Sequence, residues 1–149
     1  MGLGKMDHFL LADVIGCFEN LDHTILFEVI NNVIPDQRLI SLICNFANVD
    51  ILDATGKNKG IPQGCVVSPM LMNMCLHNFD VELLQFLSAF DHVHYLRYTD
   101  DLLIWFGELN SPLLEDRIQN EMNALMKDIQ LDLKISIHPK GSSSSIWAK

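Results

Sequence analysis

Residues 93–106 read VHYLRYTDDLLIWF. Two apolar runs, residues 93–98 and 102–106, are separated only by Thr99, Asp100 and Asp101, a pattern that predicts a tight β-hairpin with an acidic turn. Aspartate is favoured in turns for its local hydrogen bonding, so the doublet alone carries little chemistry. It gains weight from residues 8–15, HFLLADVI, an apolar run of strand length ended by Gly16. Asp13 stands inside that run, where a buried carboxylate costs several kcal/mol unless a cation or hydrogen bonds compensate it. A solvated strand end is the bland alternative. If a central strand ends near Asp13 beside the hairpin, three carboxylates reach one edge of a sheet, and their repulsion asks for a divalent cation. Hard oxygen ligands favour Mg²⁺, and paired ions of this kind activate a hydroxyl and stabilise a leaving oxygen in phosphoryl transfer.

Outward from these two segments the pattern is mixed. Asp22 is a helix cap, followed by apolar Ile25, Leu26, Val29, Ile30 and Val33 at helical spacing. After Pro35 a second short helix is expected through Leu39, Leu42, Ile43 and Phe46, followed by a polar turn over residues 56–60. Ser68 and Pro69 predict a helix start, and the apolar pattern persists to about Leu87, giving the longest, central helix. Ser111 and Pro112 open another helix, with a face of Leu114, Ile118, Met122, Leu125 and Ile129, and residues 131–137 alternate as a strand. This order predicts an α+β fold: an antiparallel sheet with an acidic β-hairpin and helices packed on one face.

Nothing divides the 149 residues into two domains, and no apolar run approaches the roughly 20 residues of a membrane span. Residues 1–7 show neither a basic, apolar secretory leader nor an Arg- and Ser-rich transit segment. Cys17, Cys44, Cys65 and Cys75 lack zinc-site spacing and are expected reduced and buried. His92 and His94 would share a strand face, with solvation favoured over a metal because no third ligand stands near. Ten basic against 19 acidic residues give a net charge of −9, the wrong sign for a domain that grips a polyanion unaided.

Three stretches decide the matter: ADVIGCFENLDH (residues 12–23), GIPQGCVVSPMLMNMCLHNFD (residues 60–80) and LRYTDDLLI (residues 96–104). In this order they resemble consecutive blocks of group II intron reverse transcriptases, over roughly Leu11 to Lys140, with organellar, especially plant mitochondrial, maturase-like proteins closest in flavour. The resemblance implies a polymerase palm over residues 1–140, with fingers and thumb outside the chain, and a flexible tail over residues 141–149. It implies RNA-directed DNA synthesis, with Asp13, Asp100 and Asp101 catalytic and holding two Mg²⁺ ions, or Mn²⁺, aided by the Val14 carbonyl. Phe18 is then the aromatic gate against a 2′-hydroxyl, Gln63 and Gly64 line the pocket for the nascent base pair, and Tyr98 packs near the primer end. Lys140 matches the lysine closing the family's next block, with Lys134 competing for that role. The implied partners are an RNA template or intron RNA, a DNA primer and deoxynucleoside triphosphates, without a membrane, in mitochondria.

The alternative is a catalytically inactive fragment or an RNA-binding scaffold that assists splicing. Thr99 stands where the family has Ala, Glu19 where Asp is common, Cys65 where a second Gly is usual and Ile15 where Lys is frequent. The last change removes a positive charge from the site. Basic triphosphate-binding fingers in the parent protein would account for the acidic balance here, and the isolated chain is expected to be weak or inactive.

Overall fold

In the computed structural model, which describes residues 6–48, 59–107 and 112–139, strand β1 spans Met6–Val14. Leu10, Ala12 and Val14 are buried, while Phe9, Leu11 and Asp13 are half-buried. This two-residue period assigns Asp13 to the face away from the core. The hairpin comprises β2 (Val93–Tyr98) and β3 (Asp101–Gly107), and β4 (Leu133–Pro139) completes a four-stranded sheet in the order β2-β3-β1-β4. All its pairings are antiparallel, and β1 is an inner strand as expected. Asp101 belongs to β3, so the turn itself contains only Thr99 and Asp100.

The helices are α1 (Cys17–Asn20), α2 (His23–Val33), α3 (Gln37–Ala47), α4 (Val67–Cys75), α5 (His77–Leu87) and α6 (Pro112–Asp128). Asp22 and Asp36 accept the Thr24 and Arg38 amides at the starts of α2 and α3, satisfying donors that have no intrahelical partner. The core joins Leu10, Leu102, Ile104 and Phe106 of the sheet to Leu26, Met72, Leu83, Ile118 and Met122 of the helices.

The structure corrects several expectations. The long central helix is divided at Leu76, and α6, at 17 residues, is the longer element. Leu76 still donates to Met72 and accepts from Asp80, so the break is a bend that keeps Leu71 and Met72 of α4, and Phe79 and Leu83 of α5, buried. Ser68 is no cap. It lies inside α4, and its hydroxyl donates to the Pro62 carbonyl, tying the helix to the preceding loop. In α3 the buried stripe is Ile40, Ile43 and Ala47, and Leu42 is 65% exposed. His92 precedes β2 in a left-handed conformation (φ 60°), so it shares no strand face with His94, which stacks on Trp105. Cys17 and Cys75 are buried, but Cys44 is half-buried and Cys65 exposed; all four are free thiols. Residues 56–58, Ser111, Lys140 and the tail lie outside the described residues.

Candidate active site

The site is built where β1 meets the hairpin turn. Asp13 pairs with Asp101 on one side and with Lys134 on the other, and Asp101 pairs in turn with Tyr98. Directly opposed residues share a face, with Cβ atoms about 4.5–5.5 Å apart. Tyr98, Asp101, Asp13 and Lys134 therefore form one row across the sheet, on the face away from the helices. Tyr98 is 78% exposed. The next rows on that face bring Leu96, Leu103, Leu11 and Ser136 together, then His94, Trp105 and Phe9.

Asp100 looks elsewhere. With Phe18, Gln63, Gly64, Cys65, Val66, Ser68 and Pro69 it lines a cleft of about 440 Å³. Local hydrogen bonds assemble this cleft. The Gly60 amide donates to Leu21 and the Ile61 amide to Phe18, so the stretch before residues 62–65 is laid against the end of α1. The buried His23 ring adds a 2.6 Å contact to the Gly60 carbonyl, in which Nε2 must be the donor. The Gln63 amide donates to Glu19 Oε1 at 2.6 Å, so the glutamate in the place of the usual aspartate has a partner. Gly64 has φ 78°, and a Cβ there would meet nothing within 4 Å. Glycine serves here for its backbone conformation, not for close packing.

The thiol of Cys17, beneath the turn, is pushed up to about 12 by burial first and then by Asp100, with Asp13 adding to the rise. Both carboxylates thus stand within electrostatic reach of one buried sulfur. Val14 contributes its amide, which donates to the Asp100 carbonyl at 3.1 Å and fixes the turn against β1. As hard oxygen donors the carboxylates fit a divalent cation in kind. Among the described residues, however, no three His, Cys, Asp or Glu side chains converge as a metal cage. The fold preforms the Asp13–Asp101 pair, and Asp100 lines the adjoining cleft.

A second polar group beside the turn was not anticipated. Arg97 lies on the helix-facing side of β2 and pairs with Asp80 of α5 (Nη2 to Oδ2, 2.6 Å; Nε to Oδ1, 2.9 Å). Tyr95 Oη donates to Asp80 Oδ1 at 2.7 Å, and burial, then Asp80, hold its phenol well above the ordinary range. Arg97 Nη1 donates to Asn73 Oδ1 (2.7 Å) and to the Thr99 carbonyl (2.8 Å). A signal was present: residues 93, 95 and 97 share the buried phase of β2, and a cation there demands a partner.

A family profile described as reverse transcriptase (RNA-dependent DNA polymerase) matches residues 2–139. Over 86 residues the chain is 38% identical to the group II intron-encoded protein LtrA of Lactococcus lactis subsp. cremoris, covering 56% of this chain and 14% of that protein. Over 84 residues it is 34% identical to an uncharacterized 91 kDa protein in the cob intron of Schizosaccharomyces pombe, covering 54% of this chain and 10% of the relative. The chain therefore spans a small part of the relatives it matches. Telomerase from Candida albicans, solved with the TWJ fragment of telomeric RNA, superposes over 92% of this chain and 27% of its own, with TM-score 0.67 and 12% identity, which establishes the shared fold. The sequence blocks, the α+β architecture and the profile over nearly the whole chain agree: it belongs to the reverse transcriptase (RNA-dependent DNA polymerase) family, alongside proteins that group II introns encode.

Proposed function

We propose that residues 1–140 form the palm of an RNA-directed DNA polymerase of the group II intron maturase type, which transfers deoxynucleotides to a primer 3′-hydroxyl on an RNA template. The carrying observation is that Phe18, Gln63, Gly64 and Asp100 line one cleft beside the Asp13–Asp101 pair. In this reading Asp13, Asp100 and Asp101, with the Val14 carbonyl, hold two Mg²⁺ ions, or Mn²⁺. When bound, such ions activate the attacking hydroxyl and neutralise charge on the leaving phosphate oxygens. Phe18 walls the cleft beneath the incoming sugar and excludes a 2′-hydroxyl, while Gln63 and Gly64 border the nascent base pair. Tyr98, exposed and in register with Asp101, meets the primer end.

Lys134, opposite Asp13, is the described lysine best able to offset the acidic row, and Lys140 is the other candidate. The net charge of −9 leaves the main grip on RNA and primer to basic surfaces elsewhere in a longer protein. The relative from the cob intron supports a mitochondrial setting.

Primer extension on an RNA template with Mg²⁺ and deoxynucleotides tests the reading. Extension by this chain, or by a longer protein containing it, should vanish in Asp100→Ala; extension that survives the substitution would overturn it. A second reading, a palm retained as an intron RNA-binding scaffold, is favoured by the exposed Ile15 next to Val14, where the family frequently has a lysine. It expects salt-sensitive retention of intron RNA on a filter without extension, and retention that ignores salt would count against it.

A further inference from the structure

Arg97 makes more contacts than a strand-to-helix ion pair requires. The two-point grip on Asp80 would suffice to hold β2 against α5. Its remaining nitrogen, Nη1, reaches the Thr99 carbonyl at 2.8 Å and is steadied by Asn73. Thr99, the first of the two turn residues, has φ 54°, the sign that a two-residue hairpin turn asks for but that a β-branched residue disfavours, and its hydroxyl donates to the Tyr98 carbonyl at 2.7 Å. The next residue is Asp100, which lines the cleft and whose carbonyl accepts the Val14 amide. One hydrogen bond and one peptide unit thus separate the guanidinium from Asp100.

We propose that Arg97, oriented by Asp80 and Asn73, is the positioning residue of the acidic turn: by holding the Thr99 carbonyl it fixes the peptide that leads into Asp100 and so directs Asp100 into the cleft. That this serves metal binding rests on the reading of Asp100 as a site carboxylate; the geometric part does not. Lysine cannot substitute, because a single ammonium lacks the fork that grips Asp80 while a third nitrogen reaches Thr99.

The test compares the intact chain with Arg97→Lys, and with Arg117→Lys as a control in which the cation lies over the Phe86 and Phe90 rings, away from the turn. Hydrogen exchange of the Val14 amide, which is bonded to Asp100, reports the turn directly. In Arg97→Lys it should accelerate about tenfold while the Leu10 and Ile104 amides keep their protection. Unchanged Val14 protection, or uniform loss across the sheet, would overturn the proposal. If Arg97→Lys fails to fold, Asn73→Leu at an exposed position removes the steadying contact alone and should accelerate Val14 about threefold. Mn²⁺ titration followed by electron paramagnetic resonance supplies the second readout, with affinity expected to fall about tenfold in Arg97→Lys and to hold in Arg117→Lys. Affinity unchanged in Arg97→Lys but lost in Asp100→Ala defeats the positioning role. Binding that ignores Asp100→Ala defeats the reading of Asp100 instead, and the Val14 amide then decides for or against the clamp by itself.

Discussion

Truncating Asp80 to Ala should be among the most damaging single polar changes in this chain. The carboxylate accepts bonds from Arg97 Nε, Arg97 Nη2 and Tyr95 Oη, at 2.9, 2.6 and 2.7 Å. Its loss strands a guanidinium whose side chain is only 9% exposed, in a place where the sheet meets α5. Removing one partner of such a pair costs about 3–5 kcal/mol, because the other charge stays desolvated. Asp80 is itself 21% exposed. Water can therefore reach the vacated position, and the lower end, about 3 kcal/mol, is expected. Against a typical total of about 5–15 kcal/mol that is a large fraction. Urea unfolding at neutral pH measures it as a fall in midpoint at constant slope. The companion double variant Asp80→Leu/Arg97→Met removes both charges and should recover stability to within about 1 kcal/mol of the parent. A single-variant loss below about 1 kcal/mol, or a double variant no better than the single, would refute the argument that the stranded charge carries the cost. The recovered double variant should nonetheless show fast exchange at Val14, which separates holding the helix from aiming the turn.

The buried thiols give a pH dependence. Cys17 and Cys75 keep their protons to about 12 in the folded chain, against 9.0 when unfolded, and burial is the leading cause at both. Stability is thus full below about pH 9 and lost as pH rises toward 12, by up to about 1.4 kcal/mol per pH unit for each thiol, which urea midpoints across that range will show. Phe18→Ala should admit ribonucleotides, narrowing discrimination against them by about 10- to 100-fold in single-nucleotide extension; unchanged selectivity would remove Phe18 from the gate. Gly64→Ala has room for its methyl but not the backbone freedom, so the cleft loop should be strained by about 1 kcal/mol, read as a lower thermal midpoint.

Much of this fold was legible because strand phase and helix caps are local. Residues 8–15 and 93–106 announce their strands by apolar character alone, and Asp22 caps its helix through the amide two residues on. The cleft was legible through resemblance, which singled out Phe18, Gln63, Gly64 and Asp100 before any geometry joined them. What stayed hidden is non-local or depends on direction. The bend at Leu76 leaves no mark, since the apolar pattern continues through it and neither Gly nor Pro interrupts it. Leu42 is exposed although helical spacing fits it, because two overlapping apolar stripes run along α3 and the packing selects Ile40, Ile43 and Ala47. The Arg97–Asp80 pair spans 17 residues and two element types, so no periodicity could join its members. The φ of Thr99 is the value a two-residue hairpin turn asks of its first residue, but a threonine there gives no sign of it in the sequence.

Core and site in this chain are not independent. Side chains along β1 alternate strictly, so the phase that buries Leu10, Ala12 and Val14 is the phase that turns Asp13 outward toward Asp101. A one-residue slip of β1 against β3 would exchange the two sets, sending Asp13 into the apolar layer and Leu10 out of it. Each side of that exchange is costly, the first through an uncompensated carboxylate and the second through lost apolar burial. Pairing on both edges of β1 enforces the same phase twice, since Asp13 meets Asp101 on one edge and Lys134 on the other. Like charges directly opposed weaken a sheet by about 0.2–1 kcal/mol, far less than such a slip would cost. The acidic pair can therefore sit at the end of the sheet without unsettling it. Its register is set by the core, and the lysine opposite Asp13 supplies charge of the other sign.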